Sequence, residues 1–341
     1  MPLALGSAVL FGVSTPVSKL LLGGTSPWML AGILYVGAGV GLALVMLFTR
    51  VSGRADREAP LRLTHLPWLA GVLVFGGMVA PLLLMLGLSM TTASSGALLL
   101  NLESLATMAI AWVVFREHVD RRLLVGAAAI LAGAALLSWS SEGVRLDLGG
   151  VLIAAACICW GIDNNLTRKI AAADPIQIAM LKGLVAGGTN LALAFLTAGS
   201  FPAVSIMALG GLNGFLGVGI SLVMFMLALR HLGAARTGAY FSLAPFIGAL
   251  IAVFALRDPV TPQLLGAAGL MGVGIYLHLT EKHVHEHTHE PHEHEHAHVH
   301  DAHHQHHHDG PVAEPHTHWH RHEAMRHSHP HFPDVHHRHG H

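Results

Sequence analysis

The chain has 341 residues, of which 52% are hydrophobic and only 11% are charged. Its 19 basic and 20 acidic side chains give a net charge of −1 at pH 7, so we expect no nucleic-acid partner. The apolar runs are too long and too closely spaced for a soluble core, and they indicate a polytopic membrane protein.

Ten apolar runs follow one another in residues 1–280, and each is near the length of about 20 residues that crosses a bilayer. We therefore predict an all-α membrane domain of ten transmembrane helices. The predicted spans are 3–22, 28–49, 66–88, 91–115, 122–139, 148–170, 176–198, 206–229, 234–256 and 262–280.

Basic residues predict the orientation of these spans. With the N-terminus in the cytoplasm, the inner connections hold twelve Lys and Arg residues and the outer ones hold two. Because basic residues accumulate in cytoplasmic loops, both termini are expected in the cytoplasm. The expected location of the protein is the cytoplasmic or plasma membrane.

The sixth run turns polar while it is still at membrane depth. Trp160, Asp163, Asn164 and Thr167 lie at i, i+3, i+4 and i+7, which is one face of a helix. Ionisable and amide groups are costly in a membrane and usually face a cavity or another helix. This face is therefore a candidate functional surface.

The two halves of the membrane domain align with each other. Leu10-Phe11-Gly12 corresponds to Cys159-Trp160-Gly161, Gly96-Ala97 to Gly238-Ala239, and Val125-Gly126 to Leu265-Gly266. Five spans per half require the second half to enter from the opposite side, so we predict two inverted repeats, residues 1–140 and 141–282.

With this repeat, the sequence resembles the ten-helix EamA-type branch of the drug/metabolite transporter superfamily. The resemblance rests on Asn101-Leu102-Glu103-Ser104 and Phe115-Arg116-Glu117 in the fourth span, and on Ala244-Pro245-Phe246 and Arg257-Asp258 around the ninth. It implies secondary transport of a small molecule through a central cavity, with no cofactor required. No enzyme motif is present, and we predict that the chain is not an enzyme.

Glu103 lies near the middle of its span, where a carboxylate is most costly. Two interpretations stay open: a group that couples transport to protons or binds a cation, or a structural glutamate hydrogen-bonded near Asn101 and Thr107. The candidate residues for substrate binding or coupling are Glu103, Asn101, Trp160, Asp163, Asn164, Lys182 and Asn213.

Asp163 and Lys182 flank one cytoplasmic turn at matching depth, so we predict an ion pair. The alternative is that Lys182 extends to the membrane surface and that Asp163 bonds only to Asn164 or Thr167.

Residues 283–341 contain 25 of the 29 histidines and form a tail that we predict to be disordered, because it is too polar to fold alone. Imidazole binds Ni, Co, Zn and Cu, so labile metal binding is expected. The candidate ligands are His285, His287, His289, His292, His294, His296 and His298. The alternative is a solvated spacer whose charge rises near pH 6.

Three functions remain open. The first is a secondary transporter that moves a small polar metabolite through a central cavity by alternating access. The second is an exporter of divalent Ni, Co or Zn whose tail collects or senses cytoplasmic metal. The third is a membrane-anchored metal buffer that transports nothing. The expected partners are the lipid bilayer and a small-molecule or metal-ion substrate, with the chain a monomer or homodimer.

Overall fold

A computed structural model describes the chain as a bundle of membrane-length helices followed by four short strands. It describes residues 1–52, 61–115, 119, 121–137, 139, 148–170, 173–198, 201–280, 284–289, 292–298, 316–322 and 325–330. The motif residues 116–118 and residues 53–60 of the longest connection lie outside these ranges.

Among its described residues, the first half of the membrane domain contains seven α-helices and one π-helical segment. These are α1 (Pro2–Leu21), α2 (Pro27–Val51), α3 (Leu66–Gly71), the π-helical segment π1 (Val72–Val79), α4 (Ala80–Met90), α5 (Ala93–Leu99), α6 (Leu102–Phe115) and α7 (Arg121–Leu137). The third predicted span is thus one helical rod through α3, π1 and α4, preceded by a 3₁₀ turn at Leu63–His65. The fourth is split at Leu100 and Asn101.

Within the described residues, the second half contains six α-helices and one π-helical segment. Its elements are α8 (Leu148–Thr167), α9 (Pro175–Ala198), α10 (Val204–Asn213), the π-helical segment π2 (Gly214–Ile220), α11 (Ser221–Phe241), α12 (Ala244–Leu256) and α13 (Pro262–Leu279). The eighth predicted span contains α10, π2 and the start of α11, and a break at Ser242 and Leu243 precedes α12.

Helix α11 continues through residues 230–233, where the sequence analysis predicts a turn between spans eight and nine. The rings of Phe225 and Phe241 nevertheless lie 4.7 Å apart. A straight helix would separate these positions by about 24 Å. The helix is therefore strongly bent between them, and α11 contains the end of one predicted span and the start of the next.

Side-chain caps explain where several helices begin. The hydroxyl of Ser26 accepts a hydrogen bond from the Met29 amide at 3.2 Å, and that of Thr92 accepts one from the Ser95 amide at 3.2 Å. Thr261 caps α13 in the same way. Each cap supplies a partner for an amide that has none within its own helix.

Eight helices within the described residues are long and apolar enough to cross a membrane. They establish an integral membrane protein. The remaining two predicted spans contain α7, of 17 residues, and α12, of 13 residues. The count of ten spans therefore stays a prediction.

Helix packing has a regular pattern across the two halves. Helix α1 packs on π2, α11 and α12, while α8 packs on π1, α4 and α6. Helix α2 packs on π2, and α9 packs on π1. The pairs α2–α9, α5–α12 and α7–α13 each join one helix of the first half to one of the second.

Four short strands are described in the tail, and its disorder stays a prediction. Strands β1 (Val284–His289) and β4 (Met325–Pro330) pair antiparallel, as do β2 (His292–His298) and β3 (His316–His322). Histidine at every second position has the period of a strand, and strand pairing satisfies main-chain groups without a buried core. Such two-stranded pairs are marginally stable in water.

Candidate transport site

The polar face of α8 contacts three other helical elements at membrane depth. The Trp160 ring donates a hydrogen bond from Nε1 to the Gly76 carbonyl at 3.2 Å. Asp163 is buried against the same part of π1. Asn164 reaches α6. The spacing of the polar residues in the sequence thus corresponds to a packed face in the structure.

Asp163 forms the predicted ion pair with Lys182 of α9. Only 6% of the Asp163 side chain and 9% of the Lys182 side chain are exposed. The Thr167 hydroxyl also donates to Asp163 Oδ1 at 3.4 Å. A lone charge in this environment would be very costly, so each partner lowers the free-energy cost of burying the other.

Glu103 begins α6 immediately after the break at Leu100 and Asn101. Its Oε1 accepts a hydrogen bond from Asn164 Nδ2 at 2.9 Å, and the same amide nitrogen lies 3.2 Å from the Thr107 hydroxyl. The Thr107 hydroxyl donates to the Glu103 carbonyl at 2.9 Å. Glu103 is only partly buried, in contrast to Asp163 and Lys182.

Asn165 is a site residue that the sequence analysis missed. Its Nδ2 donates to the Thr107 carbonyl at 3.1 Å and to the Gly161 carbonyl at 2.8 Å. The side chain is buried, and Oδ1 has no hydrogen-bond partner among the described residues. Two consecutive asparagines of α8 therefore bond to the first two turns of α6.

Tyr35 of α2 was also missed. Its hydroxyl donates to the Gly76 carbonyl at 2.9 Å, the acceptor that Trp160 also uses. Asn190 of α9 lies 3.4 Å from the Gly77 carbonyl and 3.2 Å from that of Met78. Side chains from three helices therefore satisfy consecutive carbonyls of π1 at a depth where water is scarce. A lone tyrosine in an apolar run was the only signal for this role.

The structure does not bring Asn101 and Asn213 into contact with this cluster. Asn101 Nδ2 donates to the Leu98 carbonyl at 2.9 Å and lies 3.7 Å from Met271 Sδ. Asn213 Nδ2 donates to the Ser14 carbonyl at 3.2 Å and to the Ser18 hydroxyl at 3.1 Å. These contacts join helices.

A second group of polar contacts lies at the opposite end of the bundle. Lys19 Nζ donates to the Leu88 carbonyl at 2.7 Å, at the C-terminus of α4. Asp258 Oδ2 accepts a hydrogen bond from the Ser94 amide at 2.8 Å, at the N-terminus of α5. Both charges thus compensate the partial charge at a helix end.

Two cavities differ sharply in character. An apolar groove of about 620 Å³ runs between α2 and α10, and exposed Leu44 and Phe48 form part of its wall. Its lining is apolar, and the exposed part of its wall places it at the outer surface of the bundle. A cavity of about 20 Å³, the size of one water, lies beside Lys182 and Tyr35.

The seven predicted metal ligands lie in β1 and β2, at alternate positions of each strand. Among the residues whose side chains are described, no group of three His, Cys, Asp or Glu residues is arranged to hold a metal ion.

A helical bundle with buried charges across its middle defines a polytopic membrane protein with a polar site at membrane depth. The model of the EamA-like transporter family matches this chain twice, at residues 1–139 and 147–280. The chain therefore belongs to the EamA-like transporter family.

Relatives named as transporters agree with this assignment, and a solved structure shares the fold. An uncharacterized transporter of Methanothermobacter thermautotrophicus is 26% identical over 288 residues, which cover 80% of this chain and 83% of the relative. A probable amino-acid metabolite efflux pump of Salmonella typhimurium is 25% identical over 295 residues, which cover 81% and 93%. One crystal structure has the same fold, with a TM-score of 0.59 and 19% identity over 80% of this chain and 94% of that one.

Proposed function

We propose that the chain is a secondary transporter that exports a small polar metabolite through the centre of the bundle by alternating access. The observation that carries this proposal is the position of Glu103, a half-buried residue whose carboxyl group accepts a hydrogen bond from the Asn164 amide at membrane depth. Intramembrane ionisable groups of this kind commonly mark substrate or proton pathways.

The proposed architecture is two inverted five-helix repeats, residues 1–140 and 141–282. Two family matches of similar length support it, because each covers one proposed repeat. Helix packing supports it too, since exchanging each helix with its counterpart in the other half preserves the contacts of α1 and α8. Repeats of this type place the substrate at their interface, where α8 and α6 meet.

The proposed role of Glu103 is to exchange a proton for the substrate. Asn164 and Thr107 offer neutral hydrogen-bonding groups that can contact either form of the carboxyl group. Asp163 is already neutralised by Lys182, which leaves Glu103 as the carboxyl group available for this exchange among the described residues of the cluster.

An amino-acid metabolite is the proposed substrate class. The relative in Salmonella typhimurium that is named a probable amino-acid metabolite efflux pump supports this choice. The donors and acceptors of Asn164, Glu103 and Thr107 suit a polar molecule of that kind.

The test is transport into proteoliposomes with an imposed pH gradient, using a panel of radiolabelled amino acids. We expect Glu103→Gln, which keeps the shape of the side chain, to lose acceleration by the gradient while retaining slow exchange. Thr189→Ala is the matched control, because Thr189 is half-buried and its hydroxyl donates to the Val185 carbonyl of its own helix. Unchanged gradient dependence in Glu103→Gln would remove its proposed coupling role.

The histidine tail favours a second candidate, the export of divalent Ni, Co or Zn. The strand register pairs His285 with His329 and His287 with His327 along β1 and β4. Imidazole is a ligand for Ni, Co and Zn, so a histidine-rich segment of this kind is suited to bind them. Labile Ni, Co, Zn or Cu on the tail is therefore proposed as a regulator or as cargo.

A further inference from the structure

The two π-helical segments lie at equivalent positions of the two halves. A shift of 142 residues relates Gly96 to Gly238, and the same shift relates Val72, the start of π1, to Gly214, the start of π2. It also relates the break at Leu100 to the break at Ser242. Because π-helical turns are rare, their repetition at one register indicates a shared role.

Each segment packs across the first two helices of the other half. In π1, a Cβ at Gly77 would lie 2.6 Å from the Ala186 Cβ of α9, and Gly76 packs on Asp163 of α8. In π2, a Cβ at Gly217 would lie 2.6 Å from the Ser14 Cβ of α1. Glycine is required at these contacts. Movement of either segment would therefore displace the helices of the other half that it contacts.

Lys182 lies between the two segments. On one side its stem packs on Gly77, at 3.3 Å from Lys182 Cγ to a Cβ placed there, and its amine binds Asp163. On the other side, Val218 and Gly219 of π2 line the same small cavity as Lys182. The ion pair is therefore positioned to restrain both segments at once.

The first half has no equivalent ion pair. The alignment places Ser14 at the position of Asp163 and Leu34 at that of Lys182. The restraint therefore acts from one half only, on the side of the bundle that the sequence assigns to the cytoplasm.

We propose that π1 and π2 are paired hinges of the membrane domain and that the Asp163–Lys182 ion pair restrains both in the conformation described. A π turn carries one more residue than an α turn, so its conversion to α geometry shifts the register of the rod by one residue and rotates the flanking helix. Carbonyls at Gly76, Gly77 and Met78 already accept hydrogen bonds from side chains of other helices. This inference rests on the proposed alternating access.

The test is amide hydrogen exchange of the full-length chain in lipid nanodiscs, which needs no substrate. We expect the double variant Asp163→Asn, Lys182→Met, which removes both charges together, to exchange about tenfold faster in peptides that cover π1 and in peptides that cover π2. Thr189→Ala, on the same helix as Lys182, should match the wild type. Peptides of α7 and α13 should not change.

Faster exchange in π1 alone, or an equal rise in every helix, would overturn the proposal. If the double variant does not fold, Tyr35→Phe provides a second test of the proposal. This substitution removes one hydrogen bond to the Gly76 carbonyl and leaves both charges in place. We expect a several-fold rise in both segments, and unchanged exchange in π2 would contradict the coupling. Either failure would leave the proposed substrate class unaffected.

Discussion

The buried residues of α8 show how the free-energy cost of burying one charged side chain depends on the side chain next to it. Asp163 and Lys182 are each nearly inaccessible, and a charge of either sign alone at that depth would be severely penalised. Their proximity turns two unfavourable residues into a local contact between α8 and α9. The stability of this contact depends mainly on the two charged side chains themselves. It can therefore be tested by measuring the free energy of unfolding of single and double variants.

Removing one member of the pair should destabilise the protein more than removing both. We expect Asp163→Asn alone to cost about 3–5 kcal/mol, because it leaves Lys182 buried without its partner. Adding Lys182→Met should recover part of that loss. The measurement is the free energy of unfolding in detergent for the four members of the cycle, and strictly additive effects would contradict a direct interaction.

At the scale of helices, glycines set the distance between α2 and α9. A Cβ at Gly39 would lie 2.8 Å from the Gly183 carbonyl carbon, and the backbones touch where these two residues meet. Close approach of this kind lets membrane helices gain contacts that larger side chains would prevent. The same helix α9 carries Gly188, where an added Cβ would meet nothing within 4 Å.

Gly39→Ala should therefore destabilise the bundle, whereas Gly188→Ala should not. We expect a loss of about 1–3 kcal/mol for Gly39→Ala, because the added methyl group must push two backbones apart. Gly188→Ala is the matched control with the same chemical change on the partner helix. Thermal unfolding of both variants, followed by intrinsic tryptophan fluorescence, gives the comparison, and equal stability would contradict the close α2–α9 contact.

The sequence predicted this architecture best where depth and periodicity alone decide the outcome. The Asp163–Lys182 pair followed from the depth of two residues on either side of one turn, and the structure confirms it. The Asn164–Glu103 contact could not be predicted, because it depends on how α6 and α8 rotate against each other. Tyr35 was missed for a related reason: its acceptor, the Gly76 carbonyl, is available in a π-helical segment that hydrophobic spacing does not reveal.

For the whole molecule, the distribution of basic residues predicts both termini in the cytoplasm. Reporter fusions after Arg57 and after Gly143 should read cytoplasmic and external, respectively. Arg57 lies in a basic connection, and three predicted spans separate it from Gly143. The reverse result would contradict the orientation. Equal compartments for both sites would contradict an odd number of crossings between them and, with it, the inverted repeat.

The tail and the membrane domain have separate proposed roles. The family match ends at residue 280, so the histidine-rich segment lies beyond the part shared with other transporters. We expect truncation after Lys282 to leave transport of the metabolite intact and to alter only its response to added Ni or Zn. Loss of all transport in a correctly inserted truncation would contradict this separation.

Solute counterflow in proteoliposomes tests the central claim most directly. Vesicles that contain the purified full-length chain would be loaded with one unlabelled amino acid or with Ni, Co or Zn, and entry of the labelled solute would be followed over time. We expect counterflow of at least one amino-acid metabolite. It should be retained after truncation at Lys282 and absent from protein-free vesicles. Counterflow of a metal ion with none of the amino acids, or of no solute in the panel, would contradict it.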